Sequence, residues 1–196
     1  MRIGIDFDNT IVCYDSVFYT AALEKGLIPV SLSPAKGKIR DYLREIGKED
    51  EWTKLQGFIY GDRMDLATPY EGVELFFQKM IPHHFLCIVS HKTKHPYLGP
   101  KYDLHQAAES WLKKQSFYSP SFPYYFLLTL QEKLKKIAEM QCDYFIDDLP
   151  ELLLEKNFPL STRKILFDPN HLFEEHMSYK KVSSWKELTE FLCLNS

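Results

Sequence analysis

The chain has 196 residues, of which 45% are hydrophobic and 26% charged, and its formal net charge is -3. That balance excludes a disordered chain, and a charge so near neutral excludes a surface built to neutralise a nucleic-acid backbone, so no nucleic-acid polymer is expected as a partner. No run reaches the ~20 apolar residues of a membrane span, and Asp6 falls where a signal peptide would still be apolar; both point to the cytoplasm and to no membrane partner.

In chain order, Arg2 to Ile5 is a short isoleucine-rich run that ends at Asp6-Phe7-Asp8-Asn9-Thr10, which reads as a strand entering a polar loop. Three helices are expected next, over Asp15 to Lys25, Lys36 to Ile46 and Asp50 to Tyr60, separated by Pro29, Pro34 and Gly47. The strand-then-polar grammar returns four times: Phe85 to Val89 before Ser90, Tyr124 to Leu128 before Thr129, Tyr144 to Ile146 before Asp147-Asp148, and Lys164 to Phe167 before Asp168. Helical patterns fall between and after these runs, over Glu71 to Met80, Leu104 to Lys114, Leu130 to Met140 and Ser184 to Leu192.

Strands alternating with helices predict an α/β chain with a Rossmann-like parallel sheet covered on both faces, its ligand site beyond the carboxyl ends of the strands. The run of helices after the first strand breaks this alternation. It predicts a core of 1–13 and 69–196 with a small helical cap inserted over 14–68, placed as a lid would be. Cys13, Cys87, Cys142 and Cys193 form no C-x-x-C pair and read as buried free thiols.

The chemistry is expected at the polar strand ends. Asp6 and Asp8 stand two residues apart after the first strand and repel each other unless a cation or a proton relieves them. A hard cation such as Mg2+ would do so and would bring a phosphoryl group with it. A simple turn and helix cap at Asp8 and Asn9 is the competing reading. Asp147-Asp148 closes another apolar run, where adjacent acids need solvent, partners or metal. Ser90 ends a third strand, where a hydroxyl and backbone N–H groups can hold phosphate oxygens. Lys133, near the start of the helix leading to Asp147, can supply a counter-charge, although Lys135 and Lys136 leave a solvated helix face as the alternative.

These motifs resemble those of the haloacid dehalogenase-like (HAD-like) phosphatases. Asp6-Phe7-Asp8-Asn9-Thr10 matches the D-x-D-x-T/V motif, Ser90 the strand-ending Ser or Thr, Lys133 the lysine, and Asp147-Asp148 the acidic pair. The resemblance implies a phosphoric monoester hydrolase in which Asp6 attacks phosphorus and Asp8 serves as general acid and then base. It further implies Mg2+ held by Asp6, Asp8 through its backbone carbonyl, Asp147 and Asp148, with Ser90, Lys133, Thr10 and Asn9 on the phosphate. His91, Lys92, Tyr14 and Arg63 are candidate substrate contacts, as are Arg40 and Tyr60 in the insertion. The expected partner is a small phosphorylated metabolite. A nucleotidase of the same fold and a protein that binds a phospho-ligand without turnover are the alternatives.

Overall fold

The computed structural model describes residues 1–195. The chain divides into two compact units, one of residues 1–12, 69–92 and 116 onward, the other of 13–68 and 93–115. The first holds the strands β1 (Arg2–Ile5), β4 (Phe85–His91), β5 (Tyr124–Leu127), β6 (Tyr144–Asp147), β7 (Arg163–Phe167) and β8 (Lys180–Val182). They form a six-stranded, all-parallel sheet in the order β5-β4-β1-β6-β7-β8.

The sheet is buried on both faces because its strands are apolar at successive positions. On one face Cys87, Val89, Phe145 and Leu166 pack with Leu134 and Ile137 of α6 (Leu130–Glu139) and Leu152 and Leu153 of α7 (Pro150–Leu153). On the other, Phe167 meets Trp185 of α8 (Trp185–Leu194), which in turn meets Phe76 of α4 (Val73–Met80) with ring centroids 4.8 Å apart. β1 lies at the centre, and its Gly4 is required by packing. A Cβ there would stand 2.6 Å from the Phe145 ring and 2.8 Å from Cys142 Sγ, closer than side-chain carbons approach.

The second unit is helical: α1 (Asp15–Glu24), α2 (Lys36–Glu45), α3 (Glu49–Gly61), a 3-10 turn at Met64–Leu66, and α5 (Leu104–Lys113). Phe18 stacks on Trp52, and Trp111 Nε1 donates to Ala67 O at 2.8 Å. The pairing strands β2 (Val12–Cys13) and β3 (Thr68–Pro69) are where the chain passes from one unit to the other and back.

Residues 93–115 fall in the helical unit. The segment ahead of α5 lies so close to α3 that a Cβ on Gly61 would come within 2.4 Å of Tyr102. Helical periodicity marks α5 as amphipathic without naming what its apolar face meets. The cysteines are free as read, but only Cys87 and Cys142 are buried. Cys13 is half-buried and Cys193 is exposed, in the last turn of α8.

Candidate active site

The site gathers at the carboxyl ends of β1, β4 and β6. Asp6 directly follows β1, and its N–H donates to Ile146 O at 2.9 Å, so the sheet ladder extends to the first carboxylate. The chain then turns back sharply: Asn9 takes a left-handed φ of 59°, its N–H donates to Val12 O, and the N–H groups of Ile11 and Val12 both donate to Phe7 O. Asn is among the few residues that adopt this conformation at small cost. Trp185 Nε1 donates to Thr10 O at 3.1 Å and ties the turn to α8.

Lys133 is delivered by α6. The helix opens with a reciprocal cap in which Thr129 Oγ1 accepts from Glu132 N and the Glu132 carboxylate accepts from Thr129 N. Lys133 therefore sits one turn in, and helical side chains lean toward the N-terminus. Its Nζ lies 2.6 Å from Asp6 Oδ1 and 2.6 Å from Asp147 Oδ2, with 3% of the side chain exposed. Lys135 and Lys136 pair with Glu139 instead.

Carboxylate oxygens of Asp6, Asp147 and Asp148 lie within 4.8 Å of one another. Asp147 Oδ1 accepts from Leu149 N at 2.9 Å, which fixes its rotamer. Burial pushes the Asp6 carboxyl up to about 7, an effect that the Lys133 ammonium opposes and the neighbouring Asp147 reinforces. Burial disfavours the charge on Lys133, but Asp147 and Asp6 outweigh it and raise its affinity for the proton. An acidic cluster with a single ammonium against two of its members is an oxygen-only donor set that suits a hard divalent cation.

Two buried hydroxyls, Ser90 Oγ at the end of β4 and Thr10 Oγ1 in the turn, make no hydrogen bond among the described residues. A buried hydroxyl without a partner costs free energy unless a ligand completes it. The Asp8 carboxylate is not among those that converge within 4.8 Å, although its charge acts on Asp6. Its two carboxylate oxygens accept from Lys92 Nζ at 2.9 and 2.7 Å.

The weaker candidates fall into other settings. His91 is exposed, its Nε2 3.1 Å from Leu128 O. In the helical unit, Tyr14 is buried with its OH donating to Met64 Sδ, and Tyr60 OH accepts from Lys36 Nζ at 2.6 Å. Arg63 lies over the Phe58 ring and near Glu24 and Asp62, while Arg40 pairs with Asp41 at the surface. The pairing of Lys92 with Asp8 is not legible in the sequence, where Lys92 reads as a candidate substrate contact in a polar loop.

No family sequence model and no curated protein matches the chain. Its fold, however, recurs in solved structures. A HAD-superfamily hydrolase from Ehrlichia chaffeensis superposes with a TM-score of 0.58 at 12% identity, covering 98% of this chain and 96% of that one. A haloacid dehalogenase-like family hydrolase from Streptococcus pneumoniae gives 0.61 at 13%, covering 97% of each. The Bacillus subtilis protein YfnB, solved bound to magnesium, gives 0.55 at 12%, also covering 97% of each. The chain has the fold of the HAD-superfamily hydrolases.

Proposed function

We propose that the chain is a magnesium-dependent phosphohydrolase that acts on a small phosphorylated metabolite in the cytoplasm through a phosphoryl group carried on Asp6. The observation that carries this reading is the pairing of Asp6, at the end of the central strand, with Lys133, which also holds Asp147. Such an arrangement orients one carboxylate oxygen and leaves the other to act as a nucleophile. The unpartnered Ser90 hydroxyl fits a phosphate oxygen.

In the first half-reaction an Asp6 oxygen bonds to phosphorus while the bond from phosphorus to the leaving oxygen breaks, and Asp8 gives that oxygen a proton. In the second, Asp8 takes a proton from water, the water oxygen attacks phosphorus, and the Asp6 oxygen leaves. Ser90 and Lys133 hold the equatorial oxygens throughout. Asp6, Asp147, Asp148 and the Asp8 carbonyl would hold Mg2+, which when bound supplies positive charge to the phosphoryl oxygens. The magnesium in the B. subtilis structural neighbour supports this choice of ion.

The helical unit is read as the element that selects the substrate. The chain leaves the sheet unit just after Val12 and again just after Lys92, each time directly beyond site residues. No described helix is long and apolar enough to cross a membrane.

The test is phosphate release from 4-nitrophenyl phosphate with and without Mg2+, joined to intact-mass analysis after rapid quench. Turnover should need the cation and should be lost in Asp6→Asn. Asp8→Asn should accumulate a phosphoryl adduct on Asp6, because an acidic phenol leaves unaided while water cannot attack without a base. Full activity in chelator, or an adduct on another residue, would overturn the assignment.

A further inference from the structure

We propose that Lys92 is a positioning residue that holds the Asp8 carboxylate out of the acidic cluster of Asp6, Asp147 and Asp148, keeping the acid/base separate from the cation site. Asp8 is two residues from Asp6, yet its carboxylate is not among the three that converge. It turns instead to Lys92, whose ammonium forks both of its oxygens at 2.7 and 2.9 Å. The Lys92 side chain is 3% exposed and that of Asp8 is 16% exposed.

Both ends of this pair are anchored by backbone. Lys92 N donates to Leu127 O at 2.8 Å, at the end of the β5 ladder, and its Nζ lies 5.7 Å from the Phe7 ring centroid. The Asp8 backbone is set by the turn that Asn9 closes and by its bridge to Val12. A buried ammonium is costly to desolvate and is retained where a well-placed acceptor answers it. Without Lys92, the freed Asp8 charge would seek another cation. A divalent ion at the acidic cluster, which holds Asp6 two residues away, would supply one. Two buried lysines thus hold three of the four acids in two separate groups, Lys133 ordering Asp6 and Asp147 and Lys92 ordering Asp8.

The inference rests on the phosphohydrolase reading only for its turnover arm; its cation-binding arm stands alone. Mn2+ binding, titrated by calorimetry, should tighten by about tenfold in Lys92→Met, within the range measured for coupled neighbours. That gain should vanish when Asp8→Asn is added. Lys92→Arg, which can fork the carboxylate with its charge kept, should stay near the wild-type affinity. Asp8→Asn alone should weaken Mn2+ binding less than Asp148→Asn does, a comparison that needs no Lys92 variant to fold. With 4-nitrophenyl phosphate, Lys92→Met should lower kcat at least about tenfold with KM little changed. Unchanged or weaker Mn2+ binding in Lys92→Met, additive effects in the double variant, or a rise in KM with kcat preserved would each overturn the proposal, the last by making Lys92 a substrate contact.

Discussion

Lys133 and Asp6 meet at 2.6 Å although 127 positions of sequence separate them. The contact is shared with Asp147, so one ammonium bridges carboxyl groups from two neighbouring strand ends. Lys133→Met would strand two buried acids, and losing one partner of a buried ion pair costs about 3–5 kcal/mol. Urea denaturation of the metal-depleted variant should show a loss of that order. Adding Asp6→Asn should recover part of it, and a loss below about 1 kcal/mol would mean that the pair does not stabilise the fold.

The raised Asp6 carboxyl has a pH signature in the metal-depleted protein. A carboxyl held at about 7 in the fold binds its proton more tightly than in the unfolded chain, where it titrates near its ordinary 3.8. Its stabilising contribution is complete below that lower value and is lost as pH rises toward 7, a swing on the order of 4 kcal/mol. Asp6→Asn removes the effect. Thermal melts of the two proteins across pH 4 to 8 should therefore diverge, with the variant gaining relative stability as pH rises. Parallel profiles would show that Asp6 is not the buried acid described.

Ser90→Ala should separate stability from turnover. The hydroxyl makes no hydrogen bond among the described residues, so its removal should leave the fold as stable or raise its stability by about 1 kcal/mol. Turnover of 4-nitrophenyl phosphate should fall by about tenfold or more, as for loss of one preorganised donor. A destabilised variant with normal turnover would reverse the assignment.

Cation affinity should distinguish Asp147 from Glu151, four residues on and exposed in the first turn of α7. Asp147→Asn should weaken Mg2+ binding by at least about tenfold, whereas Glu151→Gln should leave it nearly unchanged. Equal effects in calorimetry would misplace the cluster.

Much of this site is legible in the sequence because its acids terminate apolar runs, and a strand that ends in carboxylates is a strong local signal. The five predicted strands all occur, with ends shifted by at most two residues. Lys133 is also legible in retrospect: Thr129-x-x-Glu132 fixes where α6 starts and so how far its fourth residue can reach. What escaped the sequence reading depends on long-range choice. β8 is three residues, two of them lysines, and owes its strand form to β7 beside it. The partner of α5 and the partner of Lys92 are likewise set by packing between segments whose own patterns are neutral on the matter.

Gly4 gives the core a direct say in the chemistry. Because no side chain fits between β1 and the ring of Phe145, the main chain that bears Asp6 lies against Phe145 and Cys142 with almost no clearance. The nucleophile's location is thus measured from the hydrophobic interior, as a tool is set against a stop. A bulkier residue at position 4 would leave every polar group of the site chemically intact and still carry Asp6 off its mark relative to Asp147 and Lys133. The site's tolerance to mutation is in this sense decided by an atom that the chain does not have.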